Sequence, residues 1–147
     1  MIKETVTFMV PGPPTGKGRP RFAIRKSRDG GSFVSIRTPD KTVVYENLIK
    51  IEYQQQTGRY RFPDDAMLEM EIEAYFCIPK GASKKRKAAM LTGDVRPTKK
   101  PDADNVLKAV ADALNEVAYR DDTQLVDCIV HKYYDTEPRV IVTITQV

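Results

Sequence analysis

This chain predicts an α+β domain, a mixed β-sheet with helices packed on one face. Three observations carry that reading. Segments with alternating apolar and polar residues stand near both ends and in the middle of the chain, the period-2 mark of half-buried strands. Other segments repeat their apolar residues at helical spacing. The two patterns do not alternate one for one, as a parallel sheet with crossover helices requires. A chain of 147 residues has the size of one domain, taken here as residues 1–147.

Thr5-Val6-Thr7-Phe8-Met9-Val10 alternates and predicts a strand. Pro11-Gly12-Pro13-Pro14 stops it, because proline supplies no ladder donor. Residues 21–25 and 32–36 flank Asp29-Gly30-Gly31 and predict a hairpin with a flexible tip. Thr38-Pro39-Asp40 opens a helix to about Gln56, with Val43, Val44, Leu48 and Ile51 as its apolar stripe and Gly58 as its stop. Leu68 to Ile78 alternates over a long strand with one face buried and one wet. Ser83 caps a short basic helix from Lys84 to about Leu91, closed by Gly93. The clearest helix runs from about Asn105 to Ala118, with Asp104 at its N-cap. Two strands follow, Leu125 to Tyr134 and Val140 to Thr145, joined by a turn at Thr136-Glu137-Pro138.

Composition removes several classes of function. No apolar run is long enough for a membrane span, and Met1 to Val6 lacks the apolar core of a signal peptide. A cytoplasmic protein without a membrane partner is expected. Cys77 and Cys128 sit in strand-like runs and read as small buried residues rather than a disulfide. No Cys/His cluster has zinc spacing, and no Ser/His/Asp grouping supports a nucleophilic triad. His131, the one histidine, reads as a half-exposed strand residue. Gly12-Pro13-Pro14-Thr15-Gly16-Lys17 imitates a phosphate loop, but it is one residue short and has Gly18 where the magnesium-binding hydroxyl belongs. No nucleotide cofactor is expected.

The net charge of +4 is unevenly spread. Lys17, Arg19, Arg21, Arg25, Lys26, Arg28 and Arg37 face only Asp29 in their block. Lys80, Lys84, Lys85, Arg86, Lys87, Arg96, Lys99 and Lys100 face only Asp94 in theirs. Two such blocks point to a polyanion. Within them Lys17, Arg19, Arg21, Lys84, Lys85, Arg86, Lys99 and Lys100 are the candidate DNA-binding residues.

Inside this basic chain stands an acidic group. Asp102 and Asp104 lie two apart on a segment held extended by Pro101, a spacing that points both carboxylates the same way, and Lys108 and Asp112 continue one helix face from Asp104. Asp121 and Asp122 open the next strand. If that strand runs beside the segment holding Asp102, three carboxylates converge. Like charges 4 Å apart repel by about 4 kcal/mol at an effective dielectric near 20, a cost that a divalent cation removes. Hard oxygen ligands select Mg²⁺, or Mn²⁺ in its place, over zinc. A metal there would offset phosphodiester charge and activate a water for attack, with Lys108 as a point charge on the phosphate or leaving oxygen. Capping by Asp104 and a turn at Asp121-Asp122 explain the same residues without any metal.

The run Lys100-Pro101-Asp102, Asp104-Asn105, Lys108, Asp112-Ala113-Leu114, then Asp121-Asp122 and Gln124, resembles the RusA family of Holliday-junction resolvases. Pro11-Gly12-Pro13 and Lys17 to Arg21 resemble the opening of many members. The resemblance implies a Mg²⁺-dependent homodimeric endonuclease that nicks a four-way DNA junction in pairs, in recombination and repair. It implies metal-binding aspartates at Asp102, Asp104 and Asp122, with Asp121 a further candidate, and a catalytic lysine at Lys108. Many relatives have glycine where this chain has Glu116. A two-fold dimer would present two identical pockets to a near-symmetric junction. The competing readings are a non-catalytic basic DNA-binding protein and a metal nuclease for flaps or other branched DNA.

Overall fold

A computed structural model describes residues 4–18, 21–37 and 40–147. In chain order it holds β1 (Thr5–Pro11), β2 (Arg21–Lys26), β3 (Ser32–Arg37), α1 (Asp40–Thr57) and β4 (Leu68–Cys77). Then come α2 (Lys84–Leu91), α3 (Ala103–Ala113), a 3-10 turn at Asp122–Gln124, β5 (Leu125–Asp135) and β6 (Arg139–Gln146). β1, β6, β4 and β5 form one mixed sheet in that order, and β2 and β3 form a separate ribbon. β4 pairs antiparallel with β6 and parallel with β5. The turn after β5 therefore makes no hairpin; it carries the chain past the end of β4 to its other side.

One face of the sheet is dry. Phe8, Val10, Leu68, Met70, Ile72, Ala74, Phe76, Val140, Val142 and Ile144 join α1 and α3 residues in a single core. On β4 the buried residues alternate with half-buried Glu69, Glu71, Glu73 and Tyr75. The α+β expectation with a mixed sheet holds, and α1 and α3 cover the dry face, but α2 adds nothing to this core. Its end, Met90 to Gly93, lies with Glu73, Tyr75 and Tyr133 of the other face, so the helices are not all on one face. His131 lies on the open face, its Nε2 3.2 Å from Glu71 Oε1. Among the described residues no helix is long and apolar enough to cross a membrane.

Four further sequence readings need correction. First, α1 buries Thr42, Tyr45, Ile49 and Tyr53, and not the aliphatic stripe. Val43, Val44 and Ile51 are exposed, and Leu48 is only partly buried. Tyrosine carries more contact area than valine, and Tyr53 meets Phe8 edge-on at 5.2 Å. The proposed opening at Thr38-Pro39 lies outside the described residues. The helix ends on a Schellman bond, Arg59 N to Gln54 O at 3.1 Å, with Gly58 at φ 64.

Second, α3 starts earlier and stops earlier than its apolar spacing predicts. Its N-cap is Asp102, so Asp104 stands inside the first turn. Leu114 is the C-cap, and Glu116 at φ 63 turns the chain out of the helix. Third, Asp102 and Asp104 therefore do not share one extended segment. Fourth, Cys77 and Cys128 are both exposed free thiols. Cys128 sits on edge strand β5, which the helices cover only in part.

Candidate active site

α3 and the start of β5 form the two walls of a shallow cleft. Asp104, Leu107, Lys108 and Ala111 line one wall, and Asp122, Leu125 and Cys128 line the other, around a volume of about 250 Å³. Asp104 and Lys108 are one helical turn apart and so point the same way. The first turn of a helix also favours a carboxylate, through the aligned peptide dipoles.

Asp122 is placed by the folded-back segment that follows α3. Glu116 N donates to Tyr119 O at 2.8 Å, and the buried Tyr119 hydroxyl donates to Ala111 O at 2.7 Å. Asn115 Oδ1 then accepts from Asp122 N at 2.9 Å. Gln124 anchors the other side, its Nε2 donating to Pro63 O and Ala66 O while its Oε1 accepts from the amides of Arg120 and Asp121. The result is an aspartate on a rigid support facing α3.

The two neighbouring aspartates divide their work. Asp121 accepts a 2.7 Å hydrogen bond from the Thr123 hydroxyl, which holds its carboxyl below the ordinary value. It also lines a separate hollow of about 460 Å³ with Asp64, Glu116 and Arg120. Asp122 behaves in the opposite way. Burial first, then the charges of Asp121 and Asp112, raise its carboxyl above the ordinary value. Asp122 thus stands beside the cleft in the negative field of Asp121 and Asp112.

Asp102 stands at the N-cap in an extended conformation, φ −67 and ψ 155, and its side chain makes no capping hydrogen bond. Capping therefore does not account for this aspartate. It is not among the residues lining the cleft. Among the described residues no set of three His, Cys, Asp or Glu side chains is close enough together to hold an ion. The structure brings Asp104, Lys108 and Asp122 together and leaves Asp102 outside their cleft.

Lys17 is tied into the protein interior. Its Nζ lies 2.6 Å from Glu46 Oε1 and 3.3 Å from Asp112 Oδ2, with the side chain 21% exposed. Burial alone would lower its pKa, but the hydrogen bonds and charges of Glu46 and Asp112 outweigh burial and raise it. Lys17 is thus an internal tie between α1 and α3 and offsets Asp112, which in turn faces Asp122. Its loop docks closely: Lys17 N donates to Asn105 O at 3.1 Å, and a Cβ on Gly16 would lie 2.9 Å from Pro101 Cβ and 3.0 Å from Asn105 Cβ. Only glycine lets the backbone approach the start of α3 this closely.

Five of the other basic candidates are on the surface. Lys84, Lys85 and Arg86 are exposed on α2, and Lys99 and Lys100 are exposed just before Asp102. Ser83 caps α2 by accepting from Arg86 N at 3.2 Å. Arg19 lies outside the described residues, as does the side chain of Arg21. Sequence reasoning placed Asp112 on the Asp104 face but gave it no site role. Glu46 and Cys128 carried no local signal at all.

The family described as Endodeoxyribonuclease RusA matches residues 11–145 of this chain. A protein of Bacillus subtilis (strain 168), described as "Uncharacterized protein YqaN", is 38% identical over 146 residues, 98% of each chain. The family match takes in both walls of the cleft, the Gly16-Lys17 loop, all of β4 and β5 and β6 up to Thr145, and it begins at Pro11, the last residue of β1. The chain belongs to the RusA family of endodeoxyribonucleases, the Holliday-junction resolvases.

Proposed function

We propose that this protein resolves four-way DNA junctions by paired, symmetric nicks, acting as a Mg²⁺-dependent two-fold homodimer in recombination and repair. One observation carries the reading: Asp104 and Lys108 of α3 face Asp122 across one cleft in a chain of net charge +4.

The donor set fits a hard dication. Mg²⁺ is commonly held by one or two carboxylates, with phosphate oxygens and waters completing its shell. Asp104 and Asp122 are the two carboxylates, one from each wall, and Asp102 at the helix start is the third candidate. The repulsion on Asp122 from Asp112 and Asp121 is the field a cation relieves. Bound there, Mg²⁺ or Mn²⁺ supplies Lewis-acid polarisation of a phosphodiester and a nucleophilic water. Asp121, committed to Thr123 and to the other hollow, is assigned to the turn and not to the metal.

The remaining residues position DNA and balance charge. Lys108 lies within the cleft and places a point charge where a phosphate or leaving oxygen would stand. Lys17 holds Asp112 in an ion pair and keeps the field behind Asp122 from growing further. Lys99 and Lys100 lead a DNA strand toward Asp102, and Lys84, Lys85 and Arg86 extend the basic track along α2.

The test is cleavage of a synthetic four-way junction with and without Mg²⁺. Ligatable paired nicks are expected only with the metal. Asp104→Asn and Asp122→Asn should lose cutting and keep junction binding, whereas Asp121→Asn should still cut. Cutting at the parental rate by both of the first two variants would overturn the assignment. Preferential cutting of flaps would move the substrate to another branched DNA.

A further inference from the structure

Residues 21–37 hold five basic residues, Arg21, Arg25, Lys26, Arg28 and Arg37, against Asp29 alone, a net of +4 that equals the charge of the whole chain. The single acid does not offset them. Its carboxylate accepts from the Ser27 hydroxyl and from Gly31 N within the tip of the hairpin. Arg25, Lys26 and Arg28 form no ion pair among the described residues.

The same ribbon leaves large apolar side chains in water. β2 and β3 pair only with each other, and neither packs substantially on the main sheet or on a helix. Ile24 stands opposite Val34 and Phe22 is two residues from Ile24 on the same strand, so these three residues share one face of the ribbon. Phe22 is 69% exposed, Ile24 80% and Val34 63%. A lone two-stranded ribbon is marginally stable in water, and large apolar groups in the open add to its need for a partner.

One occupant satisfies both the charge and the apolar face: nucleic acid with base faces uncovered. A second copy of the ribbon would bring like charge to like charge. A continuous duplex offers phosphates but keeps every base face stacked. Where four arms meet, stacking is interrupted, and an apolar wedge can press on bases at less cost. A two-stranded ribbon also has the dimensions to enter a DNA groove.

We propose that the β2–β3 hairpin reads the branch point, with Phe22, Ile24 and Val34 against unstacked bases and Arg25, Lys26 and Arg28 on the flanking phosphates. This inference rests on the junction-resolving reading and adds the element that distinguishes a branch from plain duplex.

The test uses the full chain in EDTA, so that binding is read without cutting. The probes are an immobile four-way junction with 2-aminopurine beside the branch, and a duplex of matched sequence. The parent should prefer the junction and brighten the 2-aminopurine. Phe22→Ala/Ile24→Ala should weaken junction binding about tenfold or more, lose the brightening, and change duplex binding by less than about twofold. Both residues are exposed, so an unchanged urea midpoint reports an intact fold. Arg25→Gln/Lys26→Gln should weaken both substrates alike and lower the salt slope by about 0.9 per charge removed. Parental junction affinity with full brightening in the alanine variant overturns the inference while leaving the resolvase reading standing. Dissociation of a dimer by that variant in sedimentation equilibrium also overturns it, and assigns the face to a second protomer. A parent that binds junction and duplex alike defeats the resolvase reading together with the inference.

Discussion

Replacing Asp122 by asparagine should make the metal-free protein more stable. The Asp122 carboxyl is raised by burial and by the charges of Asp121 and Asp112. Two carboxylates about 4 Å apart repel by roughly 1 kcal/mol in bulk water and roughly 4 kcal/mol at an effective dielectric near 20. Asp122 is only partly buried, and Lys17 lies 3.3 Å from Asp112, so the lower figure applies. Asp122→Asn should then gain about 1 kcal/mol at pH 7, or about 2–4 °C in Tm for a domain of this size. The sign with pH follows from the raised value. The folded protein holds the Asp122 proton more tightly than the unfolded chain, so parental stability falls as pH rises from 3.8 through the folded value. The advantage of the variant is full at pH 7 and disappears below 3.8. Urea denaturation in EDTA at both pH values measures it. Adding Mg²⁺ at a hundred times its Kd should restore about 2.7 kcal/mol to the parent and none to the variant. A variant less stable than the parent at pH 7, or one that Mg²⁺ stabilises equally, would refute the reasoning.

Gly16→Ala should cost about 1–3 kcal/mol and slow junction cutting, because the added Cβ meets the Pro101-Asn105 segment that carries Asp102 and Asp104. An unaltered urea midpoint and rate would show that the loop yields freely. Glu116→Gly should raise stability by about 1 kcal/mol, since glycine adopts φ 63 without the steric cost of a Cβ. The exposed Arg61 pair lost with Glu116 is worth little, and a drop in thermal midpoint would contradict this. Asp135→Asn should flatten the acid limb of the stability curve. Arg139 and the Thr136 amide hold the Asp135 carboxyl below 3.8, so its contribution is present above that pH and is lost as pH falls through the folded value. Equal slopes for parent and variant between pH 5 and about 2 would remove that pair from the account.

The parts readable from sequence are those with a local period. β4 alternates because one face of the sheet is covered and the other is wet. Asp104 and Lys108 share a face because helical spacing requires it. α1 misled because Tyr45 and Tyr53 outcompete Val43 and Val44 for the core, a choice made by the sheet and not by the helix. α3 seemed longer because Val117 and Ala118 do reach the core, yet by a turn through Glu116 that a glycine would have announced. The Glu46-Lys17-Asp112 tie joins segments far apart in the chain and leaves no local mark. Cys128 seemed buried because its strand looks apolar, while its place at the sheet edge depends on topology.

The central claim is that Asp104 and Asp122, on opposite walls of one cleft, together hold the metal. A calorimetric titration of Mn²⁺ into the parent, Asp104→Asn and Asp122→Asn tests it most directly. The account predicts stoichiometric binding by the parent and its loss in each variant. Parental Mn²⁺ affinity in both variants would contradict it.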